Sequence, residues 1–299
     1  MKVILYVFSG TGNTLNVASL YKKYLHADVT VYRVSQKSSA APSPEGYDLV
    51  GIGYPIHAFY APEPIVNFVK SLPPVAYRRT FIFKSSGEGL HVNDGSSRKI
   101  LKILAKKGYD VVGERHIVMP YNMIYRHSDE MAKQMWIYAK ALVDLHSRQL
   151  ESFKRERVHL STPLTFLAPL IGVIEQKFAH IHGPMFKVDP KKCINCGKCV
   201  SVCPQNNITV EDGKYKFGKS CVLCMGCSFG CPKSAINVGI FKFWKVNGSY
   251  RVEELAKDET IPFPLVPDRA KGVYRLYKKY YREADQMLKN GGIDIKAYI

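Results

Sequence analysis

Residues Phe8 to Thr14 read "FSGTGNT", a loop with glycines at 10 and 12, hydroxyls at 9, 11 and 14, and no lysine. The loop ends a short apolar run, "KVILYVF" (Lys2 to Phe8), and opens "NTLNVASLYKKYL", whose apolar residues recur at helical spacing. The order is strand, glycine loop, helix. A triphosphate-binding loop of the Gly-Lys-Ser/Thr type would need a lysine, and a dinucleotide fingerprint would need a third glycine at fixed spacing. Neither is present in Ser9-Gly10-Thr11-Gly12-Asn13-Thr14. Successive backbone N–H groups at a helix start, helped by three hydroxyls, converge instead on a compact anion such as a terminal phosphate.

Four more strand candidates follow: "DVTVYRV" (Asp28 to Val34), "YDLVGIGY" (Tyr47 to Tyr54), "TFIFKSS" (Thr80 to Ser86) and "DVVGERHIVM" (Asp110 to Met119). Helical patterns lie near 63–72, 96–107 and 128–150. Alternating strands and helices predict an α/β fold, a doubly wound parallel sheet of five strands. Such sheets bind ligands beyond the carboxyl ends of their strands, which places the glycine loop at a ligand site.

The hydroxyl- and glycine-rich loop resembles that of the flavodoxin family, with a first loop of the form Ser/Thr-x-Thr-Gly-x-Thr matched by Ser9 to Thr14. The resemblance covers residues 1–150 and implies FMN, its phosphate held by Ser9, Gly10, Thr11, Gly12, Asn13 and Thr14 without a cationic side chain. It also implies two ring-contacting loops. One follows the third strand, "YPIHAFYAPEP", with Tyr54, Pro55, Ile56 and His57 as the candidates and Phe59 and Tyr60 as further flat faces. The other follows the fourth strand, "SSGEGLHVNDG", with Ser86, Gly87, Glu88 and Gly89 as the candidates.

The second half contains "CINCGKCVSVCP" (Cys193 to Pro204) and "CVLCMGCSFGCP" (Cys221 to Pro232), which together use all 8 cysteines. Each has the spacing C-x2-C-x2-C-x3-C-P. Three thiolates so close in sequence can take three corners of an iron–sulfur cube, whereas structural zinc sites pair separated Cys-x2-4-Cys units. A shift of 28 residues maps Cys193 on Cys221, Cys203 on Cys231, Pro204 on Pro232, Ile208 on Ile236 and Val210 on Val238. Residues 187–239 resemble two-cluster bacterial ferredoxins, small α+β domains in which the fourth cysteine of each run reaches across to the other cluster. The resemblance implies one [4Fe-4S] cluster on Cys193, Cys196, Cys199 and Cys231, and a second on Cys221, Cys224, Cys227 and Cys203. Taken together, the chain resembles flavodoxin-like and ferredoxin fusion proteins, found mainly in anaerobes.

The expected organisation is a flavodoxin-like domain over 1–150, a helical docking linker over 151–186 (with Leu164, Phe166, Leu167, Leu170 and Ile171), a two-cluster domain over 187–240, and a hairpin and helix extension over 241–299. "FWKVNGSYRV" (Phe243 to Val252) carries an Asn-Gly hairpin signal, and "YRLYKKYYREADQML" (Tyr274 to Leu288) predicts a docking helix buried through Val273, Tyr277, Tyr280, Ala284 and Met287 or Leu288. His180 and His182 read as packing or surface residues rather than ligands.

In a chain of 299 residues, 46% hydrophobic and 23% charged residues exclude a disordered chain. The longest apolar stretch, Thr162 to Ile174, is too short to span a bilayer and holds two prolines. No transmembrane segment or secretory signal is predicted, and the expected location is cytoplasmic. The net charge of +18 favours acidic partners, which include an anionic membrane face, nucleic acid or an acidic protein. Free bacterial ferredoxins are typically acidic, yet residues 190–240 hold Lys191, Lys192, Lys198, Lys214, Lys216, Lys219 and Lys233 against Glu211 and Asp212. The expected function is electron transfer between FMN and two clusters, with a redox partner such as an acidic ferredoxin or a reductase. A flavin-dependent reductase of a small organic acceptor is the alternative; a redox-sensing, nucleic-acid-binding regulator is less favoured, and nucleic acid is not an expected partner.

Overall fold

The computed structural model describes residues 1–155, 174 and 177–299. Five parallel strands, β1 (Lys2–Val7), β2 (Asp28–Arg33), β3 (Leu49–Pro55), β4 (Arg78–Ser86) and β5 (Tyr109–Val118), lie in the order β2-β1-β3-β4-β5. This is the flavodoxin-like, doubly wound order, with its switch between β1 and β3. Val3 to Val7 are all fully buried, since a parallel strand is covered on both faces and needs a continuous apolar run rather than alternation.

Helices α1 (Asn13–Tyr24) and α4 (Asp129–Glu151) cover one face, and α2 (Glu63–Ser71) and α3 (Arg98–Lys106) the other. Each face has its own core. Val17 and Tyr21 of α1 pack with Leu5, Phe81 and Phe83, while Ile65, Val69, Ile100 and Leu104 pack with Ile4, Ile52 and Ile82. The α4 helix starts at Ser128, whose hydroxyl accepts from the Met131 N–H at 3.3 Å.

Most of α4 is buried because residues 252–299 wrap its outer face. The side-chain oxygen of Gln134 accepts from the N–H groups of Leu265 and Val266 at 2.7 and 2.8 Å, and its amide donates to the Val266 carbonyl at 2.9 Å. Those bonds give a fully buried polar side chain the partners it needs. The helix Lys278–Asn290 adds Tyr281, Ala284 and Leu288 to this core. The sequence pattern is corrected in detail: Tyr281, not Tyr280, points deepest, and Val273 is 52% exposed because the helix begins only at Lys278.

The ferredoxin-type unit is built from short pieces. Strand β6 (Lys187–Val188) pairs antiparallel with β9 (Ile236–Asn237), and β7 (Ile208–Glu211) with β8 (Lys214–Phe217). The 28-residue repeat extends to backbone shape, since the positive-φ residues Asn195, Gly197 and Asn206 recur at Leu223, Met225 and Ser234. The expected hairpin at Asn247-Gly248 does not form. Gly248 instead donates its N–H to the Phe229 carbonyl at 2.9 Å, while Lys245 bridges to Met123, so this segment is spent on joining the two halves. The docking residues expected at Leu164, Phe166, Leu167, Leu170 and Ile171 lie outside the described residues. Among the described residues no helix is long and apolar enough to cross a membrane.

Candidate functional site

A cavity of about 500 Å³ opens beyond the carboxyl ends of β1, β3, β4 and β5. It is lined by Ser9, Gly10, Thr11, Asn13 and Thr14, by 55–59, by 85–90 and by 119–125. Leu223, Phe241, Trp244, Val273, Leu276 and Tyr277 complete it from the second half. This is room enough for a cofactor, with convergent polar groups on a largely apolar wall.

At one end the loop turns at Gly12, whose φ of 105° is reached without strain only by glycine. Gly12 donates its N–H to Ser9 Oγ at 3.2 Å, and the Asn13 side chain donates to the Pro120 carbonyl at 2.7 Å. Thr14 Oγ1 lies 2.9 Å from Ser85 Oγ, and Thr11 Oγ1 accepts from the Asn122 amide at 3.2 Å. The first turn of α1 carries no acidic residue, so its N–H groups present an uncontested positive pole. These features suit a phosphate.

At the other end, His57 and Tyr60 exchange backbone hydrogen bonds of 2.9 and 2.8 Å around Ala58 and Phe59, both at positive φ. Two positive-φ residues in the middle make a primed turn without glycine, a strained choice that brings Phe59 to the cavity wall. Burial pulls the His57 imidazole down to about 4, offset in part by its bond to the Val222 backbone, so the ring is neutral near pH 7. Tyr54, expected at the ring, is corrected: it is fully buried on the α2/α3 side of the sheet and does not line the cavity. Tyr60 is likewise packed in that core, while Pro55, Ile56 and His57 do line the cavity.

The loop after β4 is held tightly. Glu88 accepts from the Asn93 amide at 2.6 Å and from the Tyr121 hydroxyl at 2.7 Å. Ser86 Oγ donates to the Glu88 carbonyl at 2.6 Å and lies 2.8 Å from His116 Nε2. A Cβ on Gly87 would fall 2.0 Å from the Tyr121 ring, and one on Gly89 would fall 2.4 Å from Tyr280 Cβ. These glycines are there to admit aromatic neighbours. His127 accepts from the Tyr121 N–H at 3.1 Å, which leaves its Nε2–H to donate to the Tyr277 hydroxyl at 2.9 Å. Tyr277 in turn donates to the Gly87 carbonyl. Burial drives the His127 imidazole down to about 3, consistent with this neutral tautomer.

The wall residues Tyr121 to Tyr125 were not among the sequence candidates, although they follow β5 where such sheets bind ligands. Trp244, Leu276 and Tyr277 carry no local signal for this site, because only the tertiary fold brings them there.

The eight thiols form two groups, each around a small cavity. One is lined by Cys193, Cys196, Cys199 and Cys231, the other by Cys203, Cys221, Cys224 and Cys227. The fourth thiol of each run therefore sits with the other run. Matching backbone donors reach the two crossing sulfurs: Asn207 N–H to Cys203 Sγ at 3.4 Å and Ala235 N–H to Cys231 Sγ at 3.2 Å. Among the described residues no three His, Cys, Asp or Glu converge on a single ion. Four thiols around each small cavity, three from one closely spaced run and the fourth from the other, are a donor set that fits an iron–sulfur cube. Burial raises the Cys224 thiol to about 12.

The second group adjoins the large cavity. A Cβ on Gly10 would lie 2.6 Å from Cys224 Cβ, one on Gly226 would lie 2.6 Å from the Gly10 carbonyl oxygen, and the Asn122 amide donates to the Cys224 carbonyl at 3.3 Å. In the first group, Cys196 is exposed. Of the paired histidines, His180 meets the Lys219 carbonyl and Glu63, and His182 is buried against Val238 and Phe241.

Residues 186–209 match the 4Fe-4S binding domain family. A 63-residue stretch is 38% identical to an uncharacterized ferredoxin of Methanocaldococcus jannaschii, covering 18% of this chain and 78% of that protein. Among solved structures, a flavoprotein in complex with FMN from Lactobacillus acidophilus aligns at 16% identity over 38% of this chain and 92% of its own, with a TM-score of 0.32. A Streptococcus pneumoniae flavodoxin aligns at 13% identity over 51% of this chain and 99% of its own, with a TM-score of 0.36. The chain belongs to the ferredoxin family, as a fusion with a flavodoxin-like domain, and carries at least one [4Fe-4S] cluster.

Proposed function

We propose that this ferredoxin fusion is an electron-transfer protein that binds FMN in the large cavity and two [4Fe-4S] clusters on the two cysteine groups, relaying electrons between them. The observation that carries the reading is the contact of Gly10 with Cys224, through which a loop suited to phosphate and a cluster-binding loop share one wall. Bound FMN exchanges one or two electrons and each cluster one, so their union converts between two-electron and one-electron carriers.

The chain's own residues supply binding and order. Amides and hydroxyls of Ser9 to Thr14 hold the phosphate, and Pro55 to His57 and Ser86 to Gly89 border the ring. The Glu88–Tyr121 and His127–Tyr277 bonds fix the loop after β4 and with it that side of the cavity wall. Asn122 ties the phosphate-side Thr11 to the Cys224 carbonyl, setting the spacing between the two binding units.

Anaerobic purification with flavin, iron and acid-labile sulfide analysis tests the reading. One FMN and two clusters per chain are expected. Zinc without labile sulfide, or a chain that does not retain FMN, would overturn it.

One observation favours the second reading, reduction of a small organic acceptor. Leu90, Ile124, Trp244, Val273 and Leu276 are between 40% and 67% exposed and all line the cavity, which gives its mouth an apolar collar. Perturbation of the bound flavin spectrum by flat, uncharged acceptors would support it.

A further inference from the structure

The surface around the first cysteine group has a different character from the cavity mouth. Lys198 and Lys233 line the small cavity of Cys193, Cys196, Cys199 and Cys231, together with Ile194 and Tyr215. Lys191 and Lys192 precede Cys193, and Lys214 and Lys216 flank Tyr215; all six lysines are exposed. Acidic neighbours within this surface are few. Lys192 lies 3.9 Å from Asp189 and Lys216 pairs with Glu211, and neither pair neutralises Lys191, Lys198 or Lys233. At the centre, Ile194 is 56% exposed and Cys196 is also open to solvent.

We propose that this lysine-ringed face is the docking port for an acidic, one-electron carrier protein, and that electrons pass between that partner and the flavin cavity by way of the Cys193 group first and the Cys224 group second. The inference rests on the relay reading for its second half, whereas the port itself stands on the surface alone. An apolar centre with a charged rim is the anatomy of a transient protein interface, and the exposed thiol places a cluster ligand at that centre. A ring of one charge steers an oppositely charged protein to the patch and speeds encounter. The Cys224 group is the less open of the two, since Gly10 and Asn122 cover it from the cavity side and none of its four cysteines is exposed as Cys196 is. Nucleic acid and anionic membrane would meet the same charge but have no use for the apolar, cluster-bearing centre.

The test uses the holoprotein under anaerobic conditions and a strongly acidic bacterial-type ferredoxin as the probe. Its dissociation constant is measured across ionic strength, beside the rate at which the reduced probe bleaches the chain's cluster absorbance. Two charge-reversed triples are compared: Lys191→Glu, Lys198→Glu and Lys233→Glu on the port, and Lys70→Glu, Lys102→Glu and Lys106→Glu on α2 and α3. The port triple is expected to weaken binding by about tenfold or more and to flatten its salt dependence, with the α2/α3 triple close to the parent. Milder Lys→Gln changes at the same three positions, checked for unchanged iron content, are expected to move in the same direction. Equal loss in both triples, or tighter binding of duplex DNA or anionic vesicles that the ferredoxin does not displace, would overturn the port. Reduction by methyl viologen, a small cation, separates the two ideas. If it reduces the clusters but never the flavin, the relay fails while the binding comparison still decides the port.

Discussion

The missing side chain of Gly10 is occupied by Cys224: a Cβ there would lie 2.6 Å from the cysteine Cβ and 2.9 Å from its carbonyl oxygen. Two loops that are more than two hundred residues apart in sequence are thus packed backbone to backbone. Gly10→Ala should force them apart, because the atoms it meets include main chain that cannot swing away. The expected result is loss of flavin retention together with a changed EPR spectrum of one cluster. Weaker flavin binding with both cluster signals unaltered would show that the loops move independently.

The hydroxyls of the loop permit a cleaner substitution. Thr11→Val and Thr14→Val keep the shape while removing a hydrogen-bonding group, and Thr14 also leaves Ser85 without its partner at 2.9 Å. Each should cost about 1 to 3 kcal/mol of FMN affinity, read by fluorescence titration of apoflavoprotein. Unchanged affinity in both variants would place the phosphate elsewhere.

Crossed grouping of the thiols predicts which cluster each fourth cysteine serves. Cys203→Ser should damage the cluster that shares the cavity of Cys221, Cys224 and Cys227, although Cys203 belongs to the first run. Cys231→Ser should damage the other. EPR of the dithionite-reduced variants distinguishes them, and loss of the Cys193 cluster alone in Cys203→Ser would contradict the crossing.

His127 gives the fold a dependence on acid. Its folded-state pKa is lowered to about 3 from an ordinary 6.5, so between those values the unfolded chain binds a proton that the folded chain excludes. This contribution to stability is complete above about pH 6.5 and falls as the pH is lowered toward 3. His127→Gln should reduce stability at pH 7 by breaking the bonds to Tyr121 and Tyr277, yet flatten the fall in melting temperature between pH 6.5 and 4. His57, His116 and His146 are lowered in the same direction, so the slope should shrink rather than vanish. A parallel curve for the variant would exclude His127 as a contributor.

Much of the sheet was legible because central parallel strands demand near-continuous apolar runs, as at Lys2 and Thr80, while the edge strand at Asp28 is read from its β-branched alternation. The cysteine spacing was legible because a cube needs several thiolates within one turn of chain. Tyr54 misled for the opposite reason: a strand's alternation sends it into the α2/α3 core, and being next to the loop says nothing about which face it takes. The turn at Ala58 and Phe59 carries no glycine or asparagine, so its strained backbone left no mark in the sequence. Asn247-Gly248 did look like a hairpin, but a tertiary bond to Phe229 claimed the glycine N–H. The aromatic wall from Trp244 to Tyr277 depends on long-range packing alone.

The bond from Tyr277 to the Gly87 carbonyl joins positions 190 residues apart, and Tyr280 reaches the Val118 N–H across 162. On the ribosome, then, the phosphate loop and all five strands emerge well before the aromatic residues that close the far wall. A nascent chain at that stage presents a half-built cradle, its sheet side complete in sequence and its aromatic side still to be made.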